Sequence, residues 1–353
     1  MSAVHQFVPM LHRADAVGRH TLALRDALVA RGADSRIYVE LTDPETADET
    51  RPFAAYADEA GRGDVVVYQF ATASDMAGWL AARPEPLVVN SHNVTPPEYY
   101  APWNNAMARH QLRAQQELAS LAPRAALGLA VSTFNETELT QAGYARTAVI
   151  PPAAALAVAP VGGTAAPTAP AARSGARWIS IGRMAPNKGI ESALMGLLVA
   201  RAHFDADATL LVVGRPVVPS YTAALLRFAD ELGLRDGVTF AGALGDDELS
   251  AALVHSDVLV VTSRHEGFGV PAIEAMAAGV PVVANRAGAL PEVVGDAGLL
   301  VDAGDPYALA SAAHRVGHDD ALRQSLGAAA AARVTALDLA SAGGRAAELL
   351  LSL

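Results

Sequence analysis

The chain has 353 residues, enough for two hydrophobic cores, and 52% of them are apolar. Its formal net charge of −11 argues against a nucleic-acid binder, which would present a basic face. With no cysteine, disulfides and thiolate metal sites are excluded.

In chain order, strand-like apolar runs alternate with helical patterns. The first half reads as strands at Val4–Val8, Arg36–Val39, Val65–Phe70, Leu87–Asn90, Leu127–Ser132 and Ala148–Pro151, with helices clearest at Gly18–Ala30 and Asn104–Leu121. The second half reads as strands at Trp178–Ile181, Leu210–Val213, Val238–Ala241, Val258–Thr262, Val282–Ala284 and Leu299–Val301. Its helices fit Ile190–Ala202, Ser220–Leu232, Asp246–Val254, Pro271–Ala278, Pro306–Val316 and Ala321–Val334. Such alternation predicts an α/β protein with parallel sheets and helices on both faces.

Residues 153–175 are rich in Ala, Pro, Gly and Thr without periodicity and read as a linker. The expected organisation is therefore a first doubly wound domain over 1–152, the linker, a second over 176–335, and a terminal helix over 336–353 that packs on either domain. Two such domains facing each other place ligands in the cleft, outside the carboxyl ends of the strands. The N-terminus lacks the basic and apolar regions of a signal peptide, and no run of about 18 uncharged apolar residues occurs. The expectation is a cytoplasmic protein without a membrane span.

Ser263-Arg264-His265-Glu266-Gly267-Phe268-Gly269-Val270-Pro271 runs from a strand into a helix, and a second acid, Glu274, follows one turn on. Small residues let the backbone approach a ligand, and amides at a helix start attract phosphate. Acids beside a phosphate site need another task, and sugar hydroxyls are candidates. Glu274 also has a purely structural reading, as an acid stabilised by the helix dipole. Arg183 and Lys188 lie on the loop after another strand, where a forked and a compact cation suit a diphosphate. Lys188 is the only lysine among 26 basic residues, so its position asks for a specific reason.

These strings resemble the retaining glycosyltransferases of the large family 4. Glu266 and Glu274 around Gly267-Phe268-Gly269 look like its paired-glutamate motif, and Gly182-Arg183 with Lys188-Gly189 looks like its diphosphate clamp. The order and spacing match from about residue 177 to 310, supported by Val212-Val213-Gly214, Thr239-Phe240-Ala241-Gly242 and Ala278-Gly279-Val280-Pro281. The resemblance implies the GT-B fold of two facing Rossmann-like domains, with the acceptor on the first and a UDP- or GDP-sugar on the second. It implies metal-independent transfer to an acceptor hydroxyl with retained configuration, with no cofactor beyond the nucleotide sugar as co-substrate. Glu266, His92, Arg183 and Lys188 would be catalytic. Gly267, Phe268, Gly269, Val270, Glu274, Leu244 and Gly18 would join the two cations in holding the donor, the nucleobase lying along Phe240–Leu244. His92 would donate to a sugar hydroxyl or orient the acceptor.

Gly18 departs from the family in having alanine and valine, not a second glycine, before it, and it also fits as a simple helix start. Tyr68-Gln69-Phe70 with Thr72 and Ser74 reads as an acceptor pocket or an ordinary strand end. The acceptor classes open at this point are a glycan, a lipid-linked sugar or a small natural product. A sugar-nucleotide epimerase or hydrolase, and a binder that has lost turnover, are the other functional readings. Neither nucleic acid nor metal is expected as a partner.

Overall fold

A computed structural model describes residues 3–13, 15–153 and 175–353. Strands β1 (Val4–Met10), β2 (Ile37–Leu41), β3 (Thr50–Pro52), β4 (Val65–Phe70), β5 (Leu87–Ser91), β6 (Ala125–Ala130) and β7 (Thr147–Val149) form one sheet, in the order β3-β2-β1-β4-β5-β6-β7. Strands β8 (Arg177–Ile181), β9 (Thr209–Val213), β10 (Val238–Gly242), β11 (Val258–Val261), β12 (Val282–Asn285) and β13 (Leu299–Val301) form a second, in the order β10-β9-β8-β11-β12-β13. Every pairing is parallel. Central strands such as β4 and β11 are buried along their whole length, because helices cover both faces of a parallel sheet.

The strand order reverses between β1 and β4 in the first sheet and between β8 and β11 in the second. Such reversals part the loops that leave the two strands, and ligands settle at that crevice.

The described residues divide into two compact units, one of 3–101, 105–153 and 338–353, the other of 102–104 and 175–337. The span read as a linker lies outside the described residues except for Ala153 and Gly175. The terminal helix Leu339–Leu351 joins the first unit. Its Ala342, Ala346, Ala347 and Leu350 fill the core with Val4, Leu24 and Leu28. Gly343 permits the approach: a Cβ there would already touch Ala153, Ala27 and the Ala23 carbonyl. The break before this helix is Asp338, in the left-handed region at φ 44°.

Some boundaries differ from expectation. The edge strand β3 is three residues ending in Pro52, and proline is tolerated only where no ladder amide is needed. The strand expected to reach Ser132 stops at Ala130, and Ser132 instead caps the helix Thr133–Gln141 by accepting from the Asn135 amide. Among the described residues no helix is long and apolar enough to cross a membrane.

Candidate active site

The second unit gathers its polar loops where β8 and β11 end. After β8 the chain turns at Gly182, and after β9 at Gly214, with φ of 146° and 149°. A Cβ on Gly214 would lie 1.9 Å from the Gly182 carbonyl oxygen, so only glycine lets these two loops run side by side. The Gly182 amide donates to Val213 at 2.9 Å and the Gly214 amide to Gly242 at 2.7 Å, which carries the sheet one residue beyond its strands. A single 3-10 turn, Pro186–Lys188, follows and ends at Gly189 in the left-handed region. A Cβ on Gly189 would sit 2.5 Å from the Thr262 carbonyl oxygen, just past β11.

The two loops are stitched together. The Thr262 hydroxyl donates to the Lys188 carbonyl at 3.1 Å, and the Arg264 amide donates to the Asn187 carbonyl at 2.8 Å. The Asn187 side chain donates to the His265 carbonyl at 3.1 Å. Held this way, Lys188 Nζ lies 2.6 Å from Glu266 Oε2, and the two side chains keep only 18% and 15% of their surface exposed. A slot lined by Ser180, Gly182, Lys188, Thr262 and Ser263 opens at the reversal between β8 and β11. A wider depression of about 730 Å³ at Arg286, Asp296, Tyr307 and Arg315 shares none of these residues.

Glu266 is fixed from its other side too. Its carbonyl accepts from the Ala289 amide at 2.9 Å, and a Cβ on Gly288 would be 2.4 Å from that same oxygen. Asn285 at the end of β12 donates to Ser263 and accepts from the Ala303 amide, both at 3.0 Å. Gly267, Phe268 and Gly269 are buried, with Gly269 at φ 94° leading into the helix Val270–Ala277. Pro271 stands in that helix's first turn, where a missing amide is harmless. Glu274 is 3% exposed, so the helix carries it among packed neighbours. Arg183 is exposed and has no ion partner among the described residues. Leu244 is half-buried between β10 and the helix Asp246–Val254.

The structure brings the expected Lys188 and Glu266 side by side. Lys188 and Glu266 are each other's partner. Asn187, Asn285 and Gly288 were not expected at the site, because their work is to hold backbone.

In the first unit, Gln6 on β1, Gln69 on β4 and Asn90 on β5 form a buried polar row across adjacent strands. Gln6 Nε2 donates to the Thr21 carbonyl at 3.0 Å, and Gln69 Nε2 donates to Gln6 Oε1 at 2.7 Å. Gln69 Oε1 then faces Asn90 Nδ2 at 2.9 Å and His92 Nε2 at 2.7 Å. A carbonyl can only accept, so Thr21 sets the direction of this row and puts the His92 proton on Nε2. Burial, with His20 beside it, holds the His92 pKa well below its ordinary value and keeps the ring neutral. In this neutral tautomer Nδ1 is the accepting nitrogen of His92. His20 meets two donors, the Ala153 amide and Asn90 Nδ2, each at 2.8 Å. A neutral imidazole has one lone pair, so one of these contacts carries no hydrogen bond.

Gly18 has a local explanation. Its amide donates to the capping carboxylate of Asp15 at 2.7 Å, and a Cβ would fall 1.7 Å from the His12 carbonyl oxygen. Tyr68 and Phe70 point into the aromatic core with Phe7 and Tyr38, so they do not line a pocket. Ser74 is engaged by Glu40 and Glu117, and Thr72 by His110.

Residues 175–319 match the family model of Glycosyl transferases group 1. That segment contains Arg183, Lys188, Leu244, Glu266 and Glu274, and leaves His92 and Gly18 outside. A mannosylfructose-phosphate synthase of Agrobacterium fabrum is 36% identical over 104 residues, covering 28% of this chain and 23% of that protein. An MMP alpha-(1->4)-mannosyltransferase of Mycolicibacterium hassiacum is 43% identical over 93 residues, covering 26% of this chain and 21% of its own length. The chain thus spans about a quarter of the length of the curated relatives it matches. Among solved structures, Anabaena HepE in complex with UDP and glucose superposes with a TM-score of 0.78 at 20% identity, over 99% of this chain and 100% of that one. The sucrose-phosphate synthase of Thermosynechococcus elongatus gives 0.77 at 22% identity, over 99% of both chains. The two parallel α/β units thus have the fold of GT-B glycosyltransferases.

Proposed function

We propose that the chain is a retaining hexosyltransferase that moves a sugar from a nucleoside diphosphate sugar to an acceptor hydroxyl without a metal ion. The observation that carries this reading is the Lys188–Glu266 contact at the strand-order reversal of the second sheet, inside the segment that matches the family model. A cation and a carboxylate share one spot there, as an anionic leaving group joined to a hydroxylated ring requires.

In this reaction the bond between the anomeric carbon and the diphosphate oxygen breaks, and its electron pair leaves with the diphosphate. The acceptor oxygen forms the new bond on the same face, and its proton passes to the departing diphosphate. Arg183 and Lys188 neutralise the charge that develops, a contribution largest in a preorganised, water-poor site. Glu266 takes sugar hydroxyls, Glu274 the ribose, and the Gly267–Val270 backbone and the segment around Leu244 the rest of the donor. His92 accepts from a hydroxyl through Nδ1.

GDP-mannose is the donor we propose to test first. Matched relatives include a GDP-mannose:cellobiosyl-diphosphopolyprenol alpha-mannosyltransferase of Xanthomonas oryzae, 34% identical over 104 residues. The acceptor we propose is a glycan, a lipid-linked sugar or a small natural product, met in the cytoplasm. Thermal-shift screening against GDP, UDP, ADP and TDP and their sugars, with EDTA present, tests the donor. Proton NMR of the product's anomeric signal then tests retention. Absence of stabilisation by every nucleotide would overturn the reading.

A further inference from the structure

We infer that the Lys188–Glu266 pair makes the site discriminate against free nucleoside diphosphate, so that the sugar of the donor is what releases Lys188 to the phosphates. This rests on the function proposed above and concerns the same site.

The two charges meet at 2.6 Å with most of their surface covered. A charge-assisted contact of this kind is stronger than an exposed pair, and stripping one partner leaves the other charge partly desolvated. The main chain is fixed on both sides of the pair. Lys188 is held at its backbone by Thr262, and its stem runs past Gly182, where a Cβ would lie 3.5 Å from Lys188 Cε. Glu266 is clamped by Ala289 and Gly288. Arg183, exposed and without an ion partner among the described residues, differs from Lys188 in this respect.

A bare diphosphate can take Lys188 only by leaving the Glu266 carboxylate beside an anion with its counter-charge shared or lost. A donor sugar changes that balance, because its hydroxyls donate to Glu266 while the diphosphate accepts from Lys188. Sugar and diphosphate thereby favour each other's binding without any change of backbone. Once the anomeric carbon has passed to the acceptor, the hydroxyls leave with it, Glu266 takes Lys188 back, and the nucleoside diphosphate is released.

The test is calorimetric titration of wild type, Glu266→Gln, Lys188→Gln and the double variant with GDP, UDP, GDP-mannose and UDP-glucose at neutral pH. Glu266→Gln keeps the shape and removes the charge, and Glu266→Ala replaces it if the glutamine variant does not fold. The expected result is diphosphate binding tightened about tenfold by Glu266→Gln, equivalent to about 1.4 kcal/mol. Nucleotide-sugar binding should tighten less, and the effect should vanish when Lys188 is already glutamine. Diphosphate binding that is unchanged or weaker in Glu266→Gln overturns the inference while leaving the proposed function standing. Equal tightening for diphosphate and nucleotide sugar also overturns it, since the sugar would then not be what frees Lys188. If wild type binds none of these four ligands and none of ADP, TDP and their sugars, the proposed function is overturned and the inference with it.

Discussion

The Asn187 side-chain nitrogen donates to the carbonyl oxygen of His265 across 3.1 Å, joining the residue before the lysine to the residue before the glutamate. Asn187 is 3% exposed, so the carbonyl it serves has no easy substitute in water. Its own Oδ1 is buried without a partner, so the residue is kept for one bond and not for a full set.

Asn187→Ala should therefore leave a buried acceptor unsatisfied and cost about 1–3 kcal/mol of stability. Transfer should fall further than stability alone accounts for, because the separation of Lys188 from Glu266 is set through this bond. Urea unfolding and steady-state kinetics on the same preparation check both, and wild-type values in each would remove Asn187 from the framework.

Gly288→Ala tests the opposite side of the clamp. The new methyl would press on Glu266 in a residue already at φ 57°, where L side chains are strained. A loss of about 1–3 kcal/mol is expected, together with reduced turnover. Gly18→Ala should cost a similar amount, since a Cβ there strikes the His12 carbonyl. If Gly18 serves packing alone, the GDP or UDP dissociation constant of that variant stays near wild type, and a tenfold change would return the residue to the donor site.

Much of this architecture was legible because buried strands such as Val258–Val261 and Val282–Asn285 are short apolar runs closed by glycine or polar residues. The helix Thr133–Gln141 was not, because Leu139 is its one large buried apolar side chain and the run before it mimics a longer strand. The family resemblance put Lys188 and Glu266 in one site, but their direct contact was not legible, since 78 residues separate them in sequence. Only the adjacency of β8 and β11 brings them together, and sequence spacing carries no record of strand order. Asn285 and Gly288 gave no signal because they contact main chain, which every residue type shares. The tautomer of His92 was illegible for a related reason, since it depends on which way Thr21 orients Gln6 and Gln69.

Lys188→Ala should abolish most stabilisation by the nucleotide sugar, at a cost in binding of roughly 1.5–3 kcal/mol for one charge-assisted contact. It also strands the Glu266 carboxylate, which is 15% exposed. The double variant Lys188→Ala/Glu266→Gln should therefore melt higher than the single one while remaining inactive. Breaking a covered pair costs more than removing both of its charges. Equal melting temperatures would mean that water already solvates Glu266 adequately.

The buried histidines set how stability responds to acid. Burial lowers the His20 pKa from 6.5 to about 4, and it lowers those of His92 and His5 in the same direction. Below pH 6.5 the unfolded chain takes up protons on these rings that the folded chain refuses, so stability falls as pH falls. The contribution is fully present above the unfolded value and is lost progressively down to the folded one. Each such histidine adds a slope of at most about 1.4 kcal/mol per pH unit. Urea midpoints measured from pH 7.5 to pH 5 should decline with a slope that reflects more than one ring. Replacing His20 by glutamine, which cannot titrate, should flatten that slope by up to one histidine's share even though it lowers stability at pH 7.5. An unchanged slope in that variant would show that His20 is not among the groups that resist protonation.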